Sequence, residues 1–278
     1  MRIFLIVLVA SVSLNSCFLF KKNPDSFSKA LKSTDYDYKL RMAEKYYANK
    51  DYNHAQQLYD DLFRVMKGSD KFEDIYYKYA YCAFYLKDYQ NAENLFKGFV
   101  DAFPNSPKTD EMEYMRAYTY YKESPKYPYD QTNTTKAIGF LQAYISTHPG
   151  TDRAKEAQDL IDKSRQKLEE KDFSNAHLYY DLTYWRAAVI SFNGLLTSYP
   201  ESNRSDEYKV YVIRANYKYA SLSLEDKKIT RLEQVVTDCN DFIDRFPDSK
   251  FKKQVQEYLD LSTNTLKALK NEQVKKAS

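Results

Sequence analysis

The chain has 278 residues with a formal charge of +3, and its 43% hydrophobic content can bury a sizeable core as one elongated unit or two small domains. It contains only 5 glycines, where average usage would be about 7% of residues; this argues against Rossmann, P-loop and β-rich folds, whose turns and phosphate cradles need them. Basic and acidic side chains are nearly balanced and evenly spread, so no basic lobe exists to neutralise a nucleic-acid backbone.

In chain order, Met1-Arg2 precedes an apolar run, Ile3 to Val12, that is too short to span a bilayer but suits a signal-peptide core. Leu14-Asn15-Ser16-Cys17 follows and resembles a bacterial lipobox. It predicts a signal peptide over residues 1–16 and a lipid-bearing Cys17 as the membrane anchor, since acyl chains add about 0.8 kcal/mol per buried methylene. Asn15 departs from the commonest lipobox pattern, and an ordinary cleaved peptide with a chance cysteine is the competing reading. Residues 17–33 read as a basic, polar lipidated tether. Cys82 and Cys239 lie in apolar helical contexts and are expected in the core rather than in a disulfide.

Ser33-Thr34-Asp35 offers N-cap residues for a first helix, and residues 36–49 and 52–66 are predicted as a helical hairpin. Ala43, Tyr46, Tyr52, Ala55, Tyr59 and Leu62 have counterparts in Ala80, Ala83, Tyr89, Ala92, Phe96 and Phe99, each 37 residues on. Six aligned positions at one offset mark an internal repeat, with small residues at a helix crossing and aromatics in the second helix. That is the pattern of a tetratricopeptide (TPR) hairpin, in which neither helix can bury its apolar stripe alone.

A third unit begins after Pro107, with Ala117, Tyr120 and Tyr121 in its first helix and Ala137, Leu141 and Tyr144 in its second. Between them lies a proline-containing insertion, Glu123 to Asn133, expected as a contact loop. Residues 151–182 read as one long helix, and Trp185 to Pro200 completes a fourth unit. A fifth has helices near 205–224 and 228–246, followed by a capping helix at 249–270 and a polar, frayed tail at 271–278. Units 1–3 thus occupy residues 34–150, and units 4–5 with the cap residues 151–270. Four repeat ends share a signature: Phe103-Pro-Asn-Ser, His148-Pro-Gly-Thr, Tyr199-Pro-Glu-Ser and Phe246-Pro-Asp-Ser. The proline blocks the helix and the hydroxyl residue is expected to cap the next one. The predicted fold is all-α, a TPR-like helical-hairpin solenoid of about five repeats plus a C-terminal capping helix.

Chemistry for catalysis is not visible. His54, His148 and His177 lack metal-ligand spacing, and no GxSxG, glycine-rich phosphate loop or EF-hand loop occurs, so we expect a non-enzymatic protein without cofactor or metal. What the sequence offers is 28 tyrosines. With Ala43, Ala80 and Ala117 as the small positions of the first helices, the flanking positions include Tyr47; Tyr77, Tyr81, Phe84 and Tyr85; and Tyr114, Tyr118 and Tyr121. These eight are a candidate groove for extended peptides carrying aromatic side chains. The alternative is that they fill the inside of a tight superhelix.

The lipobox, the lead-in LKSTDYDYKL, the repeat YYKYAYCAFYLKDYQNAENLFKGFVDAFPNS, the insertion ESPKYPYDQTNTTKAI and the five hairpins resemble the BamD family in its Bacteroidetes form. The resemblance covers almost the whole chain. It implies an outer-membrane lipoprotein facing the periplasm that binds the BamA barrel subunit, other assembly-machinery components and unfolded outer-membrane proteins. Phe18 after Cys17, where an aspartate would favour the inner membrane, agrees with that placement. A TPR lipoprotein scaffold for peptidoglycan or division machinery has the same fold and anchor. A glycan-binding lipoprotein of the SusD type also carries TPRs, but its chains are much longer.

Overall fold

The computed structural model describes residues 26–277, and its regular elements are all helical among the described residues. The lipidation candidate Cys17 and the expected signal peptide lie outside them. The first hairpin is α2 (Tyr36–Ala48) with α3 (Tyr52–Val65), preceded by a short α1 (Phe27–Lys32). Asp35 starts α2 by accepting the Tyr38 N–H at 2.9 Å, as its place before the apolar periodicity predicts. The second hairpin is α4 (Phe72–Tyr85) with α5 (Tyr89–Ala102). It is followed by α6 (Thr109–Glu123), α7 (Thr132–Thr147), α8 (Asp152–Asp181), α9 (Trp185–Ser198), α10 (Ser205–Ser221), α11 (Glu225–Arg245) and α12 (Lys252–Ala277).

Three of the hairpin turns are each closed by one left-handed residue. Lys50 (φ 59°) donates its N–H to Tyr47 O while Asp51 N–H reaches Tyr46 O; Lys87 (φ 63°) and Asp88 repeat this with Phe84 and Ala83. Thr183 (φ 61°) and Tyr184 do the same with Tyr180 and Tyr179. This Schellman closure satisfies the last carbonyls of the first helix. Asp51 and Asp88 then cap the second helix through their carboxylates.

The proline signature closes the repeats. Phe103, Tyr199 and Phe246 leave the helix with nearly the same geometry, φ −130°, −129° and −129° and ψ 58°, 62° and 58°, outside the α region that a following proline disfavours. The hydroxyl two residues beyond the proline behaves differently from expectation in three of four cases. Ser106, Ser202 and Ser249 accept the N–H of Lys108, Arg204 and Phe251 at 3.1 Å, folding the connecting turn rather than capping the helix. Their hydroxyls donate back to Glu73, Glu169 and Asp206 in the preceding repeat. Only Thr151 caps the helix that follows, accepting Ala154 N–H at 3.1 Å.

The chain divides into two compact units. Among the described residues, unit 1, residues 26–123 and 139–157, is built around Ala43, Ala55, Leu58, Tyr59, Leu62, Ile75 and Cys82. The repeat alanines Ala43, Ala55, Ala80, Ala83 and Ala92, Leu62 and the rings Tyr59, Phe96 and Phe99 are fully buried while Tyr46, Tyr52 and Tyr89 are half-buried, so the 37-residue correspondence is mainly one of core positions. Each such ring contributes about 1.5–3 kcal/mol. Unit 2, residues 124–138 and 158–278, packs Ala176, Ala188, Phe192, Tyr208 and Val212 in one cluster and Val210, Ile213, Val235, Phe242 and Val255 in another. Within it α12 covers α11 and also reaches α10, where Tyr258 meets Tyr217 at 5.1 Å.

Two segment readings change. Part of the expected tether is folded: α1 buries Ala30, and Phe27 packs at a tilt on His54 at 4.2 Å and edge-on against Tyr46 at 5.9 Å. Lys39 reaches from α2 to the Leu31 carbonyl at 3.0 Å and to Asp61 at 2.9 Å, pinning the end of α1. The expected frayed tail continues α12 as helix to Ala277, with residues 271–275 exposed.

An aromatic face on the first helices of unit 1

All eight predicted groove residues lie in unit 1, on α2, α4 and α6. They form one connected ladder of rings. Tyr47 meets Tyr52 at 5.6 Å, Tyr52 stacks on Tyr85 at 4.4 Å, and Tyr85 continues to Tyr81 at 5.7 Å and on to Tyr77 at 4.8 Å. From Tyr85 the ladder also crosses through Phe84 to Tyr118, both steps at 5.8 Å, and on to Tyr114 at 5.9 Å and Tyr121 at 6.0 Å. Tyr52, the linking ring, comes from a second helix and was not among the expected positions.

Exposure separates the eight. Tyr81 and Tyr114 are buried, at 7% and 9% exposed, and support the face from beneath. Tyr85 is exposed at 45%, and Tyr47, Tyr77, Phe84, Tyr118 and Tyr121 are half-buried. Helical spacing gave the stripe, but a stripe spans about 100° of a helix; the edge turned toward Phe96 and Tyr144 becomes core, as Tyr81 at 5.5 Å and Tyr114 at 5.5 Å show.

The polar partners were missed by pattern reading. Tyr77 donates to Glu111 Oε1 at 3.1 Å, and Tyr81 donates to the same oxygen. Burial pushes both phenols above the ordinary tyrosine range, and Glu111, accepting their protons' hydrogen bonds, pushes them further. Glu44 pairs with Lys78 and accepts from Tyr59 at 3.1 Å. Lys108 pairs with Asp74 and, at 3.4 Å, with Glu73, and lies 5.3 Å from the Tyr77 ring. These links share one signal: Tyr77–Glu111, Glu44–Lys78, Asp74–Lys108 and Asp37–Lys71 are all separated by 34 residues. That is one helical turn less than the 37-residue repeat, so each first helix touches the next one a turn out of equivalence.

The histidines are structural. His148 stacks on Tyr144 at 4.6 Å with Nε2 2.6 Å from Asp110, and His177 contacts Asp181 and the Tyr211 hydroxyl. Among the described residues no group of His, Cys, Asp and Glu could hold a metal ion, and no helix is long and apolar enough to cross a membrane.

No curated protein matches the chain. Among solved structures, the TPR2AB domain of yeast Sti1 in complex with pHSP90 aligns over 82% of this chain and 98% of its own, with 12% identity and a TM-score of 0.37. TPR-like repeats of Podosopora anserina kinesin-light-chain type align over 80% and 99%, with 12% identity and a TM-score of 0.34. The YfiO family, described as outer membrane lipoprotein, matches residues 36–228, and with more than half of its length so matched the chain belongs to that family.

Proposed function

We propose that this protein is an outer-membrane assembly factor: a scaffold held through lipid on Cys17, facing the periplasm, that binds a BamA-type barrel subunit and unfolded β-barrel substrates. The observation that carries this reading is membership of an outer membrane lipoprotein family across 36–228. The aromatic face of unit 1 supports it. Rings held by their neighbours offer large contact area at little further entropic cost, which suits an extended peptide with aromatic side chains. Tyr77, Tyr85, Phe84 and Tyr118 are the contact residues in this reading, with Tyr81 and Tyr114 as their support.

The test is affinity purification from detergent-solubilised envelope combined with depletion. Recovery of a large barrel protein with periplasmic repeats, and a joint fall of many outer-membrane barrels on depletion, are the expected results. Unchanged barrel levels refute the assembly role and leave a scaffold for peptidoglycan or division machinery. Cys17→Ala releases the chain from the membrane or leaves it unprocessed; normal lipid labelling of that variant refutes the anchor.

A further inference from the structure

The carboxylates around the aromatic ladder are neutralised unequally. Glu44 is met by Lys78, Glu73 and Asp74 by Lys108, and Glu93 by Arg116 at 2.7 Å. Glu111 stands in the same row and has no ion pair among the described residues. It is held by the hydroxyls of Tyr77 and Tyr81, which both donate to Oε1 and so leave Oε2 to a ligand. Two tyrosine donors fix the carboxylate without cancelling its charge.

Tyr77 touches this charge directly, and the exposed Tyr85 is linked to it through Tyr81, whose ring lies 5.7 Å from its own. A carboxylate beside partly exposed rings supplies both terms that a guanidinium or ammonium group takes, a charged acceptor and aromatic surface. The ring face of Tyr77 already carries one cation, Lys108, at 5.3 Å, but that lysine is committed to Glu73 and Asp74.

We propose that Glu111 is a specificity residue of this face, selecting extended segments in which an arginine or lysine lies next to aromatic side chains. The proposal rests on the reading of the face as a peptide site. A purely apolar segment would bind the rings and leave the carboxylate half-desolvated without a partner, and an acidic segment would be repelled.

The test uses the full chain in detergent and two labelled, capped peptides of alternating phenylalanine and serine. One has a central arginine, the other citrulline, which has the same shape without the charge. Fluorescence anisotropy should show the arginine peptide bound about fivefold more tightly, the scale of a partly exposed ion pair. The preference shrinks as salt rises. It vanishes in Glu111→Gln, whose amide oxygen still accepts from both tyrosines, while the citrulline peptide binds that variant at least as tightly as it binds the parent, since no carboxylate is then desolvated without a partner. Equal affinity of the parent for both peptides overturns the role of Glu111 and leaves the peptide site standing. Binding of neither peptide overturns both. A Glu111→Gln preference as large as the parent's also refutes it, and if that variant fails to fold, the parent's arginine preference and its salt dependence decide.

Discussion

Gly98 is the most informative single position in unit 1. It lies within α5, and a Cβ added there falls closer than 3.0 Å to the Tyr76 hydroxyl and 3.4 Å from its Cζ. Tyr76 cannot easily step aside: its ring is held by Phe63 at 4.7 Å, Phe99 at 5.7 Å and Phe72 at 5.8 Å. In a helix, Gly→Ala gains about 1 kcal/mol, whereas overpacking a fixed ring costs about 1–3 kcal/mol. Gly98→Ala therefore loses about 1 kcal/mol net. Gly139 in α7 and Gly194 in α9 are controls, because a Cβ at either meets nothing within 4 Å. Each should gain about 1 kcal/mol as alanine, which separates them from Gly98→Ala by about 2 kcal/mol. Urea unfolding followed by circular dichroism measures all three. Adding Tyr76→Phe to Gly98→Ala removes the clashing oxygen, leaves an ordinary contact and brings stability back toward the Gly139→Ala level. If Gly98→Ala stabilises as much as the controls, or Tyr76→Phe recovers nothing, the steric reasoning is wrong.

Thr183→Gly should stabilise by about 0.5–1 kcal/mol in thermal melts, because a β-branched residue at φ 61° carries left-handed strain that glycine lacks; a loss would show that Thr183 makes contacts worth more than the strain. Lys209 is buried between α10 and α11, 2.9 Å from Asp238 and 3.0 Å from Asp241, and Asn216 holds the other Asp238 oxygen at 2.9 Å. Lys209→Met should cost about 3–5 kcal/mol by stranding Asp238, and Asp238→Leu in the same chain should restore most of it; no recovery refutes the stranded-charge account. Alkali should weaken the fold. Burial raises the thiols of Cys82 and Cys239 from 9.0 to about 12 and the Tyr114 phenol from 10.0 to about 12, so the folded state favours their neutral forms. Their contribution is complete below pH 9 and is lost between pH 9 and about 12. A denaturant midpoint that stays level across that range refutes it.

Local chemistry was legible without coordinates. Asp35, Asp51 and Asp88 mark helix starts and Pro104 and Pro247 mark ends, because caps and breakers act within a few residues of themselves. The short α1 was missed, although Ser26 as a cap with Phe27, Ala30 and Leu31 on one face would have signalled it. Six residues give too little periodicity; what makes α1 a helix is the surface of α2 and α3 beneath it.

The sequence by itself determined the repeat, its hairpin boundaries, its packing alanines and the existence of a tyrosine stripe, since all of these follow from spacing along one helix. Only the tertiary structure decided which side of the stripe is core and which is face. Tyr81 and Tyr114 differ from Tyr85 through the rings of neighbouring helices, not through their own spacing. The same holds for Glu111. A carboxylate among 39 acidic residues has no meaning in a sequence, and it acquires one when two tyrosines from the preceding repeat turn their hydroxyls to a single oxygen.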